Sequence, residues 1–251
     1  MRNINEHTIT DAVLARMDGC DNPRFKRVMS SLIRHLHDFA REVHLTEAEW
    51  EEGVRFLTAT GQMCDDKRQE FILLSDTLGL SMLNVAQNHS HGKGITEATV
   101  FGPFHVGGAP QYQLGDDIAN GAPGEVLYVT ATVRSADGSP ISNASVDTWQ
   151  ADEDGFYDVQ VPGAPLRGRG ILRTDAEGRV YFRSILPTAY PIPTDGPVGQ
   201  MLTLMGRHPW RPAHVHFLIQ AAGFETLVTH VFRDDDPYLE SDAVFGVRTS
   251  L

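Results

Sequence analysis

The prolines of this chain sit almost wholly on one side of it. Pro23 stands alone until Pro103, and thirteen of the fourteen prolines fall from Pro103 onward. Proline removes a backbone donor and clashes with the preceding turn, so helix interiors exclude it while loops and strand edges accept it. The chain therefore reads as a run of uninterrupted helices followed by a turn-rich part, with the change of character after His89.

Local signals agree. From Thr8 to His89 the pattern is helical. Thr46-Glu47-Ala48-Glu49 is a capping box, the Thr46 hydroxyl taking the Glu49 amide while the Glu49 carboxylate reaches back. Trp50, Val54, Phe56, Leu57 and Met63 follow in a helical rhythm, and Val28, Leu32, Ile33, Leu36 and Phe39 make an earlier face. Asp65 and Asp66 are expected to cap a further helix with Phe71, Leu74, Leu78, Met82 and Val85 on its apolar side. Ser90-His91-Gly92-Lys93-Gly94 reads as a linker. Short β-type runs follow at Val126–Val133, Ala144–Gln150, Val180–Ile185, His214–Ile219 and Leu227–Phe232, separated by turn signals such as Asp137-Gly138-Ser139-Pro140. Many short strands without long helices between them argue for an antiparallel sandwich or barrel. The expected fold is mainly β: an antiparallel β-sandwich over 99–251, with an N-terminal α-helical domain over 1–98.

Composition narrows the partners. Apolar residues at 41% and charged residues at 22% are ordinary for a globular chain and exclude a disordered or fibrous one. With 21 Lys+Arg against 33 Asp+Glu the net charge is −12, which argues against a nucleic-acid partner. Cys20 and Cys64 are too few for a disulfide scaffold and lack metal-type spacing. The run Met1–His7 lacks the apolar core of a secretory signal, and no apolar stretch is long enough to span a bilayer. A cytoplasmic protein without a membrane partner is expected. Asp234-Asp235-Asp236 reads as a solvated turn, and Gly168-Arg169-Gly170 lacks the context of a nucleotide loop.

The sharpest chemical signal is Arg211-Pro212-Ala213-His214-Val215-His216-Phe217. On a strand, residues i and i+2 share a face, so His214 and His216 present two imidazoles side by side. That arrangement offers two nitrogen ligands to one metal; the plainer alternative is a solvated polar face. Gly155-Phe156-Tyr157 follows a strand through an acidic loop, and Pro187–Pro197 is a stiff connection around a single tyrosine, Tyr190. Such a loop has little freedom left to lose and can fix a phenol in place.

The ordered series Gly-x-Tyr, Tyr-Pro-Ile-Pro-x-Asp-Gly-Pro and Arg-Pro-Ala-His-x-His-Phe resembles the intradiol ring-cleavage dioxygenases, non-haem iron(III) enzymes that open catechols between their hydroxyl-bearing carbons. The resemblance runs over essentially the whole chain. It implies iron(III) held by Tyr157, Tyr190, His214 and His216, with Tyr190 leaving its place during turnover. It also implies that Arg211 stabilises negative charge on the ring as oxygen attacks. Ferric iron is a hard Lewis acid, and two phenolates with two imidazoles suit it better than zinc. Phe71–Met82, Thr99–Phe104 and the C-terminal runs Leu227–Phe232 and Ser241–Val247 are similar to the hydroxyquinol 1,2-dioxygenase branch. That branch cleaves 1,2,4-trihydroxybenzene to 3-hydroxy-cis,cis-muconate. His230 stands where ordinary catechol 1,2-dioxygenases carry glutamine. The implied substrate pocket is Leu73, Asp76, Val100, Phe101, Gly102, Pro103, Phe104, Ile192, Pro193, Arg211 and His230.

Asp76 is a lone acid in an apolar stretch, where a carboxylate is costly without a partner. A third ring hydroxyl supplies one, and a substrate lacking it leaves the acid unpaired. A pairing with Lys or Arg, or a solvent-facing acid, stays open. Small aromatic diols or triols and O2 are the expected partners. The resemblance also implies a homodimer through the N-terminal helices and leaves open a lipid bound among them. Two alternatives remain: a catechol or chlorocatechol 1,2-dioxygenase, and a transthyretin-like binding module whose His-x-His strand is merely structural.

Overall fold

A computed structural model describes residues 3–65, 68–89, 92, 94–161 and 163–251. The expected linker at Ser90, His91 and Lys93 and the expected cap at Asp66 lie outside them. Five helices come first: α1 (Ile9–Ala15), α2 (Pro23–Glu42), α3 (Glu47–Gln62), α4 (Glu70–Thr77) and α5 (Leu80–Asn88). The strands are β1 (Val126–Thr132), β2 (Ser145–Gln150), β3 (Arg169–Arg173), β4 (Arg179–Ile185), β5 (Tyr190–Pro191), β6 (Trp210–Arg211), β7 (His214–Gln220) and β8 (Leu227–Phe232). Helix α6 (Pro197–Leu204) lies between β5 and β6.

The chain divides into two compact units, residues 1–58 and 59–251. In the first, α2 starts where Asn22 accepts the Phe25 amide at 2.9 Å and Pro23 takes a first-turn position that needs no amide. The capping box opens α3: the Thr46 amide donates to Glu49 Oε2 at 2.9 Å, and the Glu49 amide to Thr46 Oγ1 at 3.3 Å. Helix α2 carries no buried residue, and its stripe of Phe25, Val28, Leu32, Leu36 and Phe39 is exposed.

In the second unit a four-stranded antiparallel sheet runs β3-β2-β7-β8, and β1 pairs with β4. Val180 and Phe182 from β4 pack on Val146, Leu172, Val215 and Phe217 of the larger sheet, forming the sandwich core. Along β7 the alternation divides the labour. Val215 and Phe217 enter that core, so His214 and His216 face the other side. The expected sandwich with N-terminal helices is therefore the observed architecture.

Four features differ from the sequence reading. The segment expected as one helix from Phe71 to Val85 breaks at Gly79, whose φ of +75° no helix continues. Asp65 accepts the Arg68 amide at 2.7 Å in the preceding loop, while Gln69 stands at the N-cap of α4. Phe71 and Leu78 are exposed, and the buried side of α4 carries Glu70, Asp76 and Thr77. Strands β3, β5 and β6 and helix α6 also lie outside the expected elements. Two-residue strands have no periodicity to read, and Pro197, which sits in the first turn of α6, looks like a breaker in sequence.

Candidate metal centre

Strand geometry sets the imidazoles. His214 and His216 share a face of β7, and the β7–β8 register puts His230 opposite His216. Tyr190 lies on β5, paired with Arg211 on β6. Tyr157 ends the acidic loop after β2, and its amide donates to Gln160 Oε1 at 2.8 Å. The structure brings these groups together. Tyr157 Oη lies 2.9 Å from His216 Nε2 and 3.4 Å from Tyr190 Oη, and the Nε2 atoms of His214 and His216 are 3.1 Å apart. All four residues are buried.

Protonation follows from the surroundings. His214 Nδ1 donates to the Pro212 carbonyl at 2.7 Å, which leaves its Nε2 with the lone pair. Burial, then the Arg211 charge, lowers the His214 pKa to about 3. Burial and neighbouring imidazoles push His216 and His230 well below the usual range. All three rings are thus neutral near pH 7 and available as ligands. Burial first, then the second phenol, pushes Tyr157 well above its ordinary value, so without a cation it keeps its proton.

Two convergent lone pairs and two phenols in one buried cluster are fit to hold a metal cation. Neutral nitrogens facing each other at this separation gain from a positive charge between them, and a cation makes ionised phenol affordable in the interior. The orphaned Nδ1 of His216 fits the same picture, since an Nε2-ligated ring carries its proton there; it finds no hydrogen-bond partner among the described residues. Ligand atoms of His214, His216 and His230 lie within 4.8 Å of one another. His230, however, stacks on His214 with 16° between planes, so their in-plane lone pairs run side by side instead of converging. His214 and His216 cross at 64° and are the better pair for one ion.

The surrounding residues divide into a wall, a rim and a support. Leu73, Val100 and Ile192 share an apolar cluster with Met82, and Asp76 is buried on α4 with a hydrogen bond from Ser81. Burial raises the Asp76 carboxyl, with Arg211 and Asp242 acting on it at longer range. Phe104 stacks on Tyr157 at 4.5 Å, whereas Phe101 and Pro103 are exposed at the rim and Pro193 is half-buried beside Ile192. Gly102, at φ +79°, runs so close that a Cβ there would stand 2.9 Å from His216 Cε1.

Sequence reasoning missed three supporting residues. Trp149 lies flat on His216, 4.6 Å between centroids and 14° between planes. Arg169, dismissed with its flanking glycines, is buried; it pairs with Asp158 beside Tyr157 and donates to the Phe104 carbonyl at 3.2 Å. Asp242 receives the Arg211 Nε at 3.0 Å and Nη2 at 3.2 Å. Trp149 and Asp242 sit in segments already singled out, but no local spacing marks their contacts.

Known proteins share this whole design. The family profile described as "Dioxygenase" matches residues 100–251, and that described as "Catechol dioxygenase N terminus" matches 22–96. The 6-chlorohydroxyquinol 1,2-dioxygenase of Cupriavidus pinatubonensis is 63% identical, over 100% of this chain and 91% of its own length. The hydroxyquinol 1,2-dioxygenase of Corynebacterium glutamicum is 51% identical, over 98% of this chain and 82% of its own. Among solved structures, the hydroxyquinol 1,2-dioxygenase of Pseudomonas putida DLL-E4 superposes with a TM-score of 0.93 at 52% identity, covering 97% of this chain and 86% of that one. With both halves matched and the His pair, the two tyrosines and Arg211 gathered in one buried site, this chain belongs to the intradiol ring-cleavage dioxygenases, in their hydroxyquinol 1,2-dioxygenase branch.

Proposed function

We propose that this protein opens hydroxyquinol between its adjacent hydroxyl-bearing carbons with O2, giving 3-hydroxy-cis,cis-muconate, the enol form of maleylacetate. One observation carries the chemistry: two phenol oxygens and two imidazole nitrogens converge in a buried site, with the Nε2 atoms 3.1 Å apart. Relatives named for hydroxyquinol at 50% identity or more support the substrate.

The resident metal in this reading is iron(III), held by Tyr157, Tyr190, His214 and His216. Bound there, it supplies Lewis acidity that ionises the diol and draws charge from the ring. The chain's own groups do the rest. Tyr190, whose Oη lies 3.4 Å from Arg211 Nη1, would hold the metal through its phenol oxygen and is placed to take a hydroxyl proton from the diol. Arg211 stabilises charge developing at the ring, a role a planar, permanently charged fork fills better than lysine. Asp76 accepts a hydrogen bond from the third hydroxyl, and Leu73, Val100, Ile192, Pro193, His230 and the 101–104 loop enclose the ring. Residues 1–98 contribute association and, through Leu73 and Asp76, one wall of the pocket; residues 99–251 carry the metal. The exposed stripe on α2 supports pairing of two copies through their N-terminal helices, and it suits a lipid chain held among them. Sedimentation and lipid extraction of the purified protein test these two readings.

Iron-loaded protein is expected to be red to burgundy from tyrosinate-to-iron charge transfer, to shift its visible band with hydroxyquinol, and to release the ring-opened product under O2. Colourless protein that stays inert after iron reconstitution would overturn the reading. Preference for catechol in kcat/KM would overturn the substrate alone.

A further inference from the structure

We infer that Asp242 is the positioning residue for Arg211, holding the guanidinium by one edge so that its free end faces the reacting part of the site. The inference rests on the activity proposed above. Arg211 and Asp242 are 3% and 5% exposed, so neither has water to compensate its charge. A guanidinium is planar, and two bonds from Nε and Nη2 to one carboxylate fix both its place and its plane. What remains is Nη1, which stands 3.4 Å from Tyr190 Oη and 3.3 Å from His214 Nε2.

Asp242 is itself held. Its Oδ1 accepts the Val244 amide at 3.3 Å and its Oδ2 the Gly246 amide at 2.9 Å. Thr99, beside the pocket residue Val100, donates through its hydroxyl to the Gly246 carbonyl and anchors the turn. Gly246 supplies an independent sign that the space is reserved. A Cβ there would lie 2.8 Å from Arg211 Nη2 and 2.9 Å from Asp242 Oδ2, so a side chain would have to displace the pair.

Two consequences follow for the chemistry. Asp242 offsets a guanidinium charge that would otherwise repel a cation held by the neighbouring Tyr190 and His214. It also keeps Arg211 engaged away from Asp76, the other acid that Arg211 acts on. Asp76 is then left to its hydrogen bond with substrate.

A cycle of Asp242→Asn, Arg211→Gln and the double variant tests this, with Gly246→Ala as a separate arm. Asp242→Asn is expected to bind iron more weakly, but at saturating iron to show the resting visible band while kcat per bound iron falls about 10²-fold, the usual cost of a reacting group about an ångström out of place. If Asp242 acts through Arg211, the double variant turns over within about twofold of Arg211→Gln. Gly246→Ala, which keeps both charges but displaces them, should lower kcat with iron retained. In metal-free protein the melting temperature should fall in each single variant and recover in the double, since a lone buried charge is costly and a neutral pair of the same shape is not. Wild-type kcat in Asp242→Asn or in Gly246→Ala, or a double-variant loss equal to the product of the singles, would overturn the assignment. If the wild type does not cleave hydroxyquinol, the activity reading fails alone, and the melting cycle then decides whether Asp242 holds Arg211.

Discussion

At the scale of single residues, the site is built from groups that are ordinary one at a time and unusual only together. Tyr157, protonated on its own account, and two neutral imidazoles become a strong donor set once a cation ionises the phenol. Tyr157→Phe, His214→Ala and His216→Ala are each expected to lose most of the bound metal and the visible band, which metal analysis and absorbance would read together. Full metal content with native colour in any one would remove that residue from the set. Arg211→Lys should behave differently, keeping metal and colour while steady-state turnover on hydroxyquinol falls about 10²-fold, because a point charge cannot span the two-bond contact with Asp242 and still reach the ring. His214 and His216 were readable because strand periodicity alone puts them on one face. Tyr157 and Tyr190 were readable only through a family motif, since nothing local separates a ligand from a packing tyrosine. Asp242 was not readable. It reaches Arg211 across 31 positions, and Trp149 meets His216 only because β2 lies beside β7.

At the scale of elements, the sequence was most informative where periodicity had length to express itself. The capping box of α3 and the five longer strands lie close to where pattern and turn chemistry put them. The 70–88 segment misled for a definite reason. Its apolar residues keep a helical rhythm through Gly79, and only the backbone shows that the chain turns there before α5 starts. That elbow yields a prediction. Gly79→Ala meets nothing closer than Phe245 at 3.6 Å, so the change adds backbone strain without a clash. A loss of about 1 kcal/mol, read from the urea midpoint, is expected. Unchanged stability would mean that the elbow relaxes at no cost. Helix α6 misled in the opposite sense. Pro197 is tolerated in its first turn, so a proline cluster that reads as pure loop ends in a helix whose Leu202 joins the apolar cluster of Leu73, Val100 and Ile192.

At the scale of the second unit, from 59 onward, β7 serves two masters: Val215 and Phe217 hold the sandwich together, and the histidines between and before them are the imidazoles proposed to hold the metal. Metal binding at this site is then expected to be coupled to folding, as it is for any ligand that favours the native state. At a metal level roughly a thousandfold above Kd the gain is about 4 kcal/mol. Calorimetry should show the metal-free protein melting well below the loaded one, and His216→Ala should abolish the difference. Equal melting temperatures would separate the two faces of the strand. The stacking of Trp149 on His216 has an optical consequence. With its ring centroid 4.6 Å from the His216 imidazole, this indole is the tryptophan stacked directly on the proposed metal centre, whereas Trp210, next to Arg211 on β6, stacks on Tyr238. Its ultraviolet emission should dim as metal enters and brighten as it leaves, and Trp149→Phe should silence most of that change, giving the centre a native fluorescent gauge of its own occupancy.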